Sequence, residues 1–530
     1  MRAGTGPDAD SEHVSVVVVG GGPTGITAAT LLAQYGVDTM VLERWSQVYP
    51  QPRAVHLDDE VYRILARLGV ADEFGVISRP ARGLRLVRRD LTVLAEFNRD
   101  NTLTPNGFPA ANMFDQPALE ELLRRNLKRY PCARLRSDTE VLGIANGLSG
   151  RPHLQVRDRT SGRESIVTAD YVLGCDGANS VVRDAIGSTM QDLKFDQRWL
   201  VVDVETTVDL HQWDGVHQVC DERRAATYMR IGDARYRWEF ALLEHESADD
   251  FASLPALRPL IAPWTRHVGD AELQIIRVAE YTFRAQIADR WRSGRVFLLG
   301  DAAHLTPPFI GQGMGAGLRD AMNLAWKIAG VHRGELSPDV LDSYQQERQP
   351  HARQMITLAL RIGRDMTAGG RFGSAVRRLV LPRLRLVPGI RTRITDSETP
   401  ALRRSTMVKP TVTTRGIAGR LCPNALVHNG RRLDDELGRS FGVVTAATPT
   451  PHQQCMVDER GAKPIIVDPG SELSDWLRDR HVTAAVVRPD RTVMCAGRDL
   501  TALCRALPTF RVDHAPAGTA RTQPGIVPAE

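Results

Sequence analysis

Cysteine is scarce. Seven are scattered over 530 residues, and none forms a Cys-x-x-Cys pair. That excludes a zinc ribbon and leaves no disulfide framework, and no metal is expected. No apolar run is long enough to span a bilayer, so no membrane segment is expected. The residues ahead of Val14 are few, polar and acidic, unlike a signal peptide. A reducing cytoplasm is the expected compartment. Long runs of one charge are missing too. The 68 basic and 63 acidic residues leave a net charge of +5, so nothing points to nucleic acid. No internal repeat is evident. What remains is an ordinary globular composition, 42% hydrophobic and 25% charged. The chain is too long for one core, so two or three domains are expected.

The chain is organised around residues 14–44. A buried-strand run at 14–19 meets Gly20-Gly21-Gly22-Pro23-Thr24-Gly25, which fits G-x-G-x-x-G. A helical pattern follows through Ile26, Ala29 and Leu32 and stops near Gly36. A second strand, at 37–42, ends on Glu43. A βαβ unit closed by an acid is the dinucleotide fingerprint in its required context. Gly20 allows the tight turn, Gly22 lets backbone approach a pyrophosphate, and Gly25 lets helix and strand pack closely. The helix N-terminus offers free N–H groups to phosphates. Glu43 can accept from ribose hydroxyls. Alone, the glycines would only mark a turn. Just beyond, Arg44 and Arg53 are either phosphate ligands or two exposed arginines.

Residues 82–98 read as strands. Residues 112–117 read as a helix start with Pro117 in the first turn and Asp115 or Gln116 capping. Strands are expected near 133–145, 153–158 and 165–173. The last runs into Cys175-Asp176-Gly177, which puts Asp176 at the carboxyl edge of a parallel sheet, where ligands bind. Read alone, Asp-Gly is as well explained by a turn. Residues 196–285 alternate and are rich in aromatics, as an inserted antiparallel sheet would be. Tyr228, Tyr236, Trp238, His217 and His245 are candidates to line a pocket for a flat substrate, or core and surface residues that only pack. A buried strand at 295–299 then ends in Gly300-Asp301. The glycine-rich stretch Gly311, Gly313, Met314, Gly315, Gly317 opens a helix expected from about Leu318, a second anion-friendly site. His304 reads as a capping or packing residue. Helices continue to about Asp365. An Arg/Pro/Gly-rich connector follows, and then a small α/β unit from about Cys422.

Three motifs now stand in chain order: Gly20 to Gly25 with Glu43, Cys175-Asp176-Gly177, and Gly300-Asp301 followed by Pro307 and Gly311. Together they resemble the group A FAD-dependent aromatic hydroxylases, the p-hydroxybenzoate hydroxylase fold. Local phrases, Arg198-Trp199-Leu200-Val201-Val202-Asp203-Val204 and Ser343-Tyr344-Gln345-Gln346-Glu347-Arg348 with His351, are similar to the 3-(3-hydroxyphenyl)propionate hydroxylase branch. The resemblance implies a Rossmann-like α/β FAD-binding domain with an inserted antiparallel-sheet substrate domain and a C-terminal thioredoxin-like domain. It divides the chain into a disordered leader (1–12), three parts of the FAD-binding domain (13–81, 111–195, 286–400), substrate-sheet segments (82–110, 196–285), a connector (401–421), the thioredoxin-like domain (422–513) and a disordered tail (514–530). It implies that Gly20, Gly22, Pro23, Thr24, Gly25 and Glu43 hold the ADP half of FAD. Arg53 and Gln116 would reach the phosphates or ribitol. Asp176 and Gly177 would serve FAD and transient NAD(P)H. Asp301 would hold the ribitol and Pro308 would sit by the isoalloxazine, with the amides around Gly311, Gly313, Met314 and Gly315 at the flavin edge. Relatives commonly carry Asn where Gly315 stands, a difference that bears on loop rigidity.

The activity implied is hydroxylation of a phenolic ring with NAD(P)H and O2 through a flavin C4a-hydroperoxide. The hard chemistry belongs to the cofactor. The protein must supply a proton acceptor for the phenol; His217, Tyr228, His245 and His304 are unranked candidates. Three rivals stand beside this reading: hydroxylation or Baeyer–Villiger oxidation of a polycyclic antibiotic, a plain FAD dehydrogenase, and a catalytically silent flavin-bearing binding protein. A flavin halogenase is disfavoured because no Trp-x-Trp occurs. A homodimer is left open as the assembly.

Overall fold

The computed structural model describes residues 11–50, 53–99, 103–146, 150–221, 223–367, 399–411, 416–427 and 430–512. β1 (Ser11–Val19), α1 (Pro23–Gln34) and β2 (Thr39–Leu42) form the expected βαβ unit. β1 begins inside the expected leader. Ser11 and Glu12 pair with Ile166 and Val167 of β11 (Glu164–Gly174). A neighbouring strand with free N–H and C=O groups outweighs local polarity. The rest of that leader and the expected tail lie outside the described residues.

The first sheet runs in the order β17 (Arg292–Ser293), β18 (Val296–Leu298), β11, β1, β2, β8 (Ala133–Arg136). From β18 to β8 all neighbours are parallel. β9 (Thr139–Asn146) and β10 (Pro152–Asp158) extend antiparallel from β11. Val16, Val17 and Val18 are fully buried, as in a parallel strand covered on both faces. A small sheet joins β3 (His56–Asp58), β7 (Ala111–Phe114) and β4 (Ser78–Pro80). Residues 112–114 are therefore strand, and the helix expected there, α4 (Gln116–Leu127), begins at Gln116. Asp115 occupies the cap position without capping; its carboxylate accepts from Arg235 at 3.0 Å.

The second sheet is ordered β19 (His304–Leu305), β16 (Gln274–Ala288), β12 (Met190–Glu205), β15 (Arg235–Ala241), β14 (Ala226–Arg230), β13 (Val216–Val219), β5 (Gly83–Val87), β6 (Val93–Asn98). Its outer face carries Leu200, Tyr228 and Trp238, packed under Leu257, Ile261 and Trp264 of α6 (Leu254–Thr265). That helix is absent from the sequence reading. Pro259 and Pro263 lie inside it and mask a pattern that only tertiary packing sustains. α2 (Asp59–Leu68), α3 (Ala71–Ile77) and α5 (Val181–Ala185) complete the first half.

α7 (Gly313–His332) and α8 (Asp342–Thr367) follow. α7 starts at Gly313 rather than near Leu318, so Gly313, Met314, Gly315 and Gly317 are helical, not loop. The C-terminal unit has α9 (Leu433–Leu437), α10 (Pro451–Glu459), α11 (Glu472–Asp479) and α12 (Leu500–Ala506) around a sheet ordered β21 (Lys463–Ile466), β20 (Gly442–Thr445), β22 (Ala484–Val487), β23 (Val493–Gly497). β20 and β21 are parallel; the other pairs are antiparallel. Of the expected connector, Met407 and Ile417 pack into the cores of this unit.

Buried charge joins the two halves. Glu347 of α8 accepts from Arg488 at 2.9 and 3.0 Å and from Lys327 of α7 at 2.9 Å, and all three side chains are fully buried. Asp434 accepts two further hydrogen bonds from Arg63 of α2, each 2.7 Å. No helix among the described residues is long and apolar enough to cross a membrane. None of their His, Cys, Asp and Glu groups could hold a metal ion.

Candidate active site

β1, β11 and β18 are adjacent and parallel, and each ends in one of the three motifs. Gly20, Cys175-Asp176-Gly177 and Gly300-Asp301 therefore share one sheet edge, the place where ligands bind in such folds. Close backbone packing holds them together. Gly20 has φ +101°, and a Cβ there would lie 2.4 Å from Cys175 O. A Cβ on Gly25 would lie 2.0 Å from Gly20 O. A Cβ on Gly317 would lie 2.1 Å from Thr24 Oγ1, so α7 rests directly on the fingerprint helix.

Gly22 is different: a Cβ there would meet nothing within 4 Å. It is the N-cap of α1, which has no side-chain cap and no acid in its first turn; the same holds for α7. By contrast, Asp58 caps α2. Uncapped N–H groups beside open space fit a pyrophosphate at α1 and an electron-rich flavin edge at α7. Glu43 fixes the loop from below, accepting from Gly21 N at 2.6 Å and Trp45 N at 2.9 Å. Gln116 accepts from the backbone of Arg53 at 3.1 Å and Ala54 at 2.5 Å, which positions Arg53. Arg44 is exposed and lies over Trp45. Asp176 is held by Ser180 Oγ at 2.6 Å and Val182 N at 3.2 Å, and burial raises its carboxyl. Asp301 is exposed at the end of the third motif strand. Burial raises its carboxyl against the pull of His304 and Arg53. These features fit FAD.

Pro308–Ile310 forms a single 3₁₀ turn that ends on Gly311, φ +61°. Gly315 faces α2: a Cβ there would lie 2.9 Å from Val61 Cγ2 and 3.0 Å from an Arg319 nitrogen. Helix packing therefore favours a glycine at this position.

The four proton-acceptor candidates do not gather here. His217 and Tyr228 are buried on the outer face, under α6; Trp264 Nε1 donates to His217 Nδ1 at 3.2 Å. Burial, then Arg85, pushes His217 down to about 4, and burial raises Tyr228. His245 is exposed just after β15. His304 is buried, its Nε2 2.8 Å from Asp320, which also accepts from Arg348 at 2.8 Å.

The inner face of the second sheet carries what the sequence reading missed. Asp203, Arg237 and Arg277 lie opposite one another on three strands. Arg237 donates to both oxygens of Asp203, at 2.7 and 2.9 Å, and to Arg53 O at 3.0 Å. Trp199, on the same face, lies 6.1 Å from Phe309, the neighbour of Pro308. Alternation in residues 199–205 and 235–241 marked the face, but nothing local says which face turns inward. A cavity of about 650 Å³ lies elsewhere, between α2, α7 and the C-terminal unit, lined by Arg63, Arg319 and Asp434 among others and by no motif residue.

Residues 13–359 match the family described as FAD binding domain. A 3-(3-hydroxyphenyl)propionate/3-hydroxycinnamic acid hydroxylase of Burkholderia vietnamiensis is 34% identical over 542 residues, covering 94% of this chain and 96% of that protein. The chain belongs to the FAD-dependent aromatic hydroxylases. A Rhodococcus jostii protein named as a probable NADH-specific resorcinol 4-hydroxylase is 33% identical, with 94% of each chain covered. The structure of aklavinone-11 hydroxylase with FAD and aklavinone superposes with a TM-score of 0.78 at 21% identity, covering 94% of this chain and 99% of that one. The hydroxylase is thus an FAD enzyme.

Proposed function

We propose that this enzyme uses NAD(P)H and O2 to hydroxylate a small phenolic acid or diphenol, of the kind named for its Burkholderia and Rhodococcus relatives. The observation that carries the reading is the three-motif edge, met by the charged inner sheet face at Arg53 and Phe309. FAD, when bound, supplies hydride acceptance and oxygen activation. Gly22 and the α1 N-terminus would hold its pyrophosphate, Glu43 a ribose, Arg53 and Asp301 the phosphate and ribitol region, and Pro308 with the Gly313–Gly315 amides the ring. Asp176 and Gly177 would serve FAD and the passing nicotinamide. The inner sheet face would orient the phenol and keep water out, which protects a reactive oxygen species from loss. The chain divisions stated above and the thioredoxin-like reading of the last unit are part of this proposal; the order β21-β20-β22-β23 with one parallel pair supports the latter. The cytoplasm is the compartment proposed.

The test is anaerobic flavin reduction by NADH and by NADPH, each with and without 3-(3-hydroxyphenyl)propionate or resorcinol. Strong acceleration by either phenol is expected. Reduction that ignores both would favour a polycyclic substrate. Independently, Asp301→Ala should weaken FAD affinity about tenfold or more, as loss of a charge-assisted hydrogen bond would. Unchanged affinity on titration would remove Asp301 from the ribitol role.

A further inference from the structure

On the inner face, three cross-strand pairs follow one another along β12 and β15: Trp199–Ala241, Val201–Glu239 and Asp203–Arg237. The first touches the FAD-binding domain at Phe309 and the last touches it at Arg53. Both contact points adjoin residues assigned to the cofactor. Alternate residues on a strand stand about 7 Å apart. Glu239 therefore sits between the two contacts on the same face.

Its carboxylate has no hydrogen-bond partner among the described residues. Its nearest cation is Arg237, 4.0 Å away, and its side chain is 13% exposed. Buried polar groups are normally paired, so a largely buried carboxylate with no hydrogen-bond donor on it asks for a ligand. Arg237 cannot swing to neutralise it, because both oxygens of Asp203 and the carbonyl of Arg53 hold that guanidinium. The charged groups facing Glu239 are Arg237 on its own strand, Asp203 on β12 and Arg277 on β16; its β14 partner, Thr227, is uncharged.

We propose that Glu239 accepts the proton of the substrate's ring hydroxyl. The phenolic O–H bond breaks, the proton moves to a Glu239 oxygen, and the negative charge moves to the ring oxygen within the field of Arg237 and Arg277. No electrons are exchanged in this step. The ring becomes the electron-rich nucleophile that hydroxylation needs. Burial raises the Glu239 carboxyl above its ordinary value, Arg237 opposing. A base of raised pKa is better matched to a phenol.

The inference rests on the phenol reading above, and its test separates the two. The probes are 3-(3-hydroxyphenyl)propionate and its methyl ether, bound to the FAD-loaded full chain and followed by flavin absorbance. Wild type is expected to bind the phenol about tenfold or more tighter than the ether. Glu239→Gln, which offers only a neutral acceptor, should shrink that preference, and Glu239→Leu should abolish it. Glu239→Gln should also lower hydroxylation about 100-fold or more and erase the acid limb of the rate–pH profile. That limb is expected in wild type above the ordinary carboxylate range, with rate lost as pH falls. A preference or an acid limb that survives in Glu239→Gln would overturn the proposal. So would loss of FAD from Glu239→Gln, which would make the residue structural. Wild type that binds neither probe would defeat the phenol reading itself.

Discussion

Gly22→Val yields a folded, colourless protein. Gly22 has φ −75° and ψ −178°, which valine adopts readily, and no protein atom lies within 4 Å of the new Cβ. Stability should change by no more than about 1 kcal/mol, the usual range for an N-cap substitution. The side chain instead enters the space kept for the pyrophosphate. Losing two charge-assisted hydrogen bonds costs about 3–6 kcal/mol, or about 10²–10⁴-fold in FAD affinity. Gly25→Ala is the contrasting variant. Its methyl would lie 2.0 Å from Gly20 O, a backbone atom that cannot give way cheaply. It should lower stability by about 1–3 kcal/mol as well as FAD content. Flavin absorbance after purification and a thermal melt separate the two. A yellow, stoichiometric Gly22→Val enzyme would refute the pyrophosphate assignment.

Glu347→Gln should be among the most destabilising single substitutions. It leaves Lys327 and Arg488 buried without their shared anion. Breaking a buried ion pair typically costs about 3–5 kcal/mol. Asp490 still pairs with Arg488, so replacing Lys327 and Glu347 together by Met and Leu should recover much of the loss. Burial alone would push the Glu347 carboxyl up; Arg488 and then Lys327 overcome it and hold it at about 2. Its stabilising contribution is therefore complete above the ordinary carboxylate value and is lost as pH falls toward 2. Lys327 is pushed down to about 8 by burial, Glu347 opposing and Arg488 adding to it. The native state thus sheds that proton first, and stability gains as pH rises from about 8 towards the lysine's ordinary value. Both values fall, with opposite meaning: the charged form of Glu347 is favoured because it faces two cations, while that of Lys327 is disfavoured because burial outweighs the one anion it shares. Thermal melts across pH should show a steeper acid loss in wild type than in Glu347→Gln. Equal slopes would mean that Glu347 is not held ionised by this network.

The phrase around Glu347 that resembles the hydroxyphenylpropionate hydroxylases thus bears on domain assembly. The phrase 198–204 bears on the active-site face through Asp203. Sequence similarity alone does not distinguish these roles, since both are short strings whose partners lie elsewhere in the chain.

The chain itself determines the βαβ fingerprint, the three motif turns and the strand alternation of residues 196–285. Each depends on contacts a few residues apart: glycines at fixed offsets, a strand–turn–helix run, and a period of two. Three features depend on partners beyond local reach, 63, 16 and 141 residues away. Gln116 serves Arg53 across the chain, His304 disappears into a pair with Asp320, and Glu347 meets Arg488. The start of α7 at Gly313 and the whole of α6 are likewise tertiary. Glycine and proline oppose helix locally, and only packing on Thr24 or on the Trp238 face repays that opposition. The same limit governs the active site. Alternation along β12, β13, β14 and β15 separates His217, Tyr228 and Trp238 from Asp203, Arg237 and Glu239. Which set meets the cofactor is decided by which face α6 covers, because a strand's period carries no sign and only a second layer supplies one.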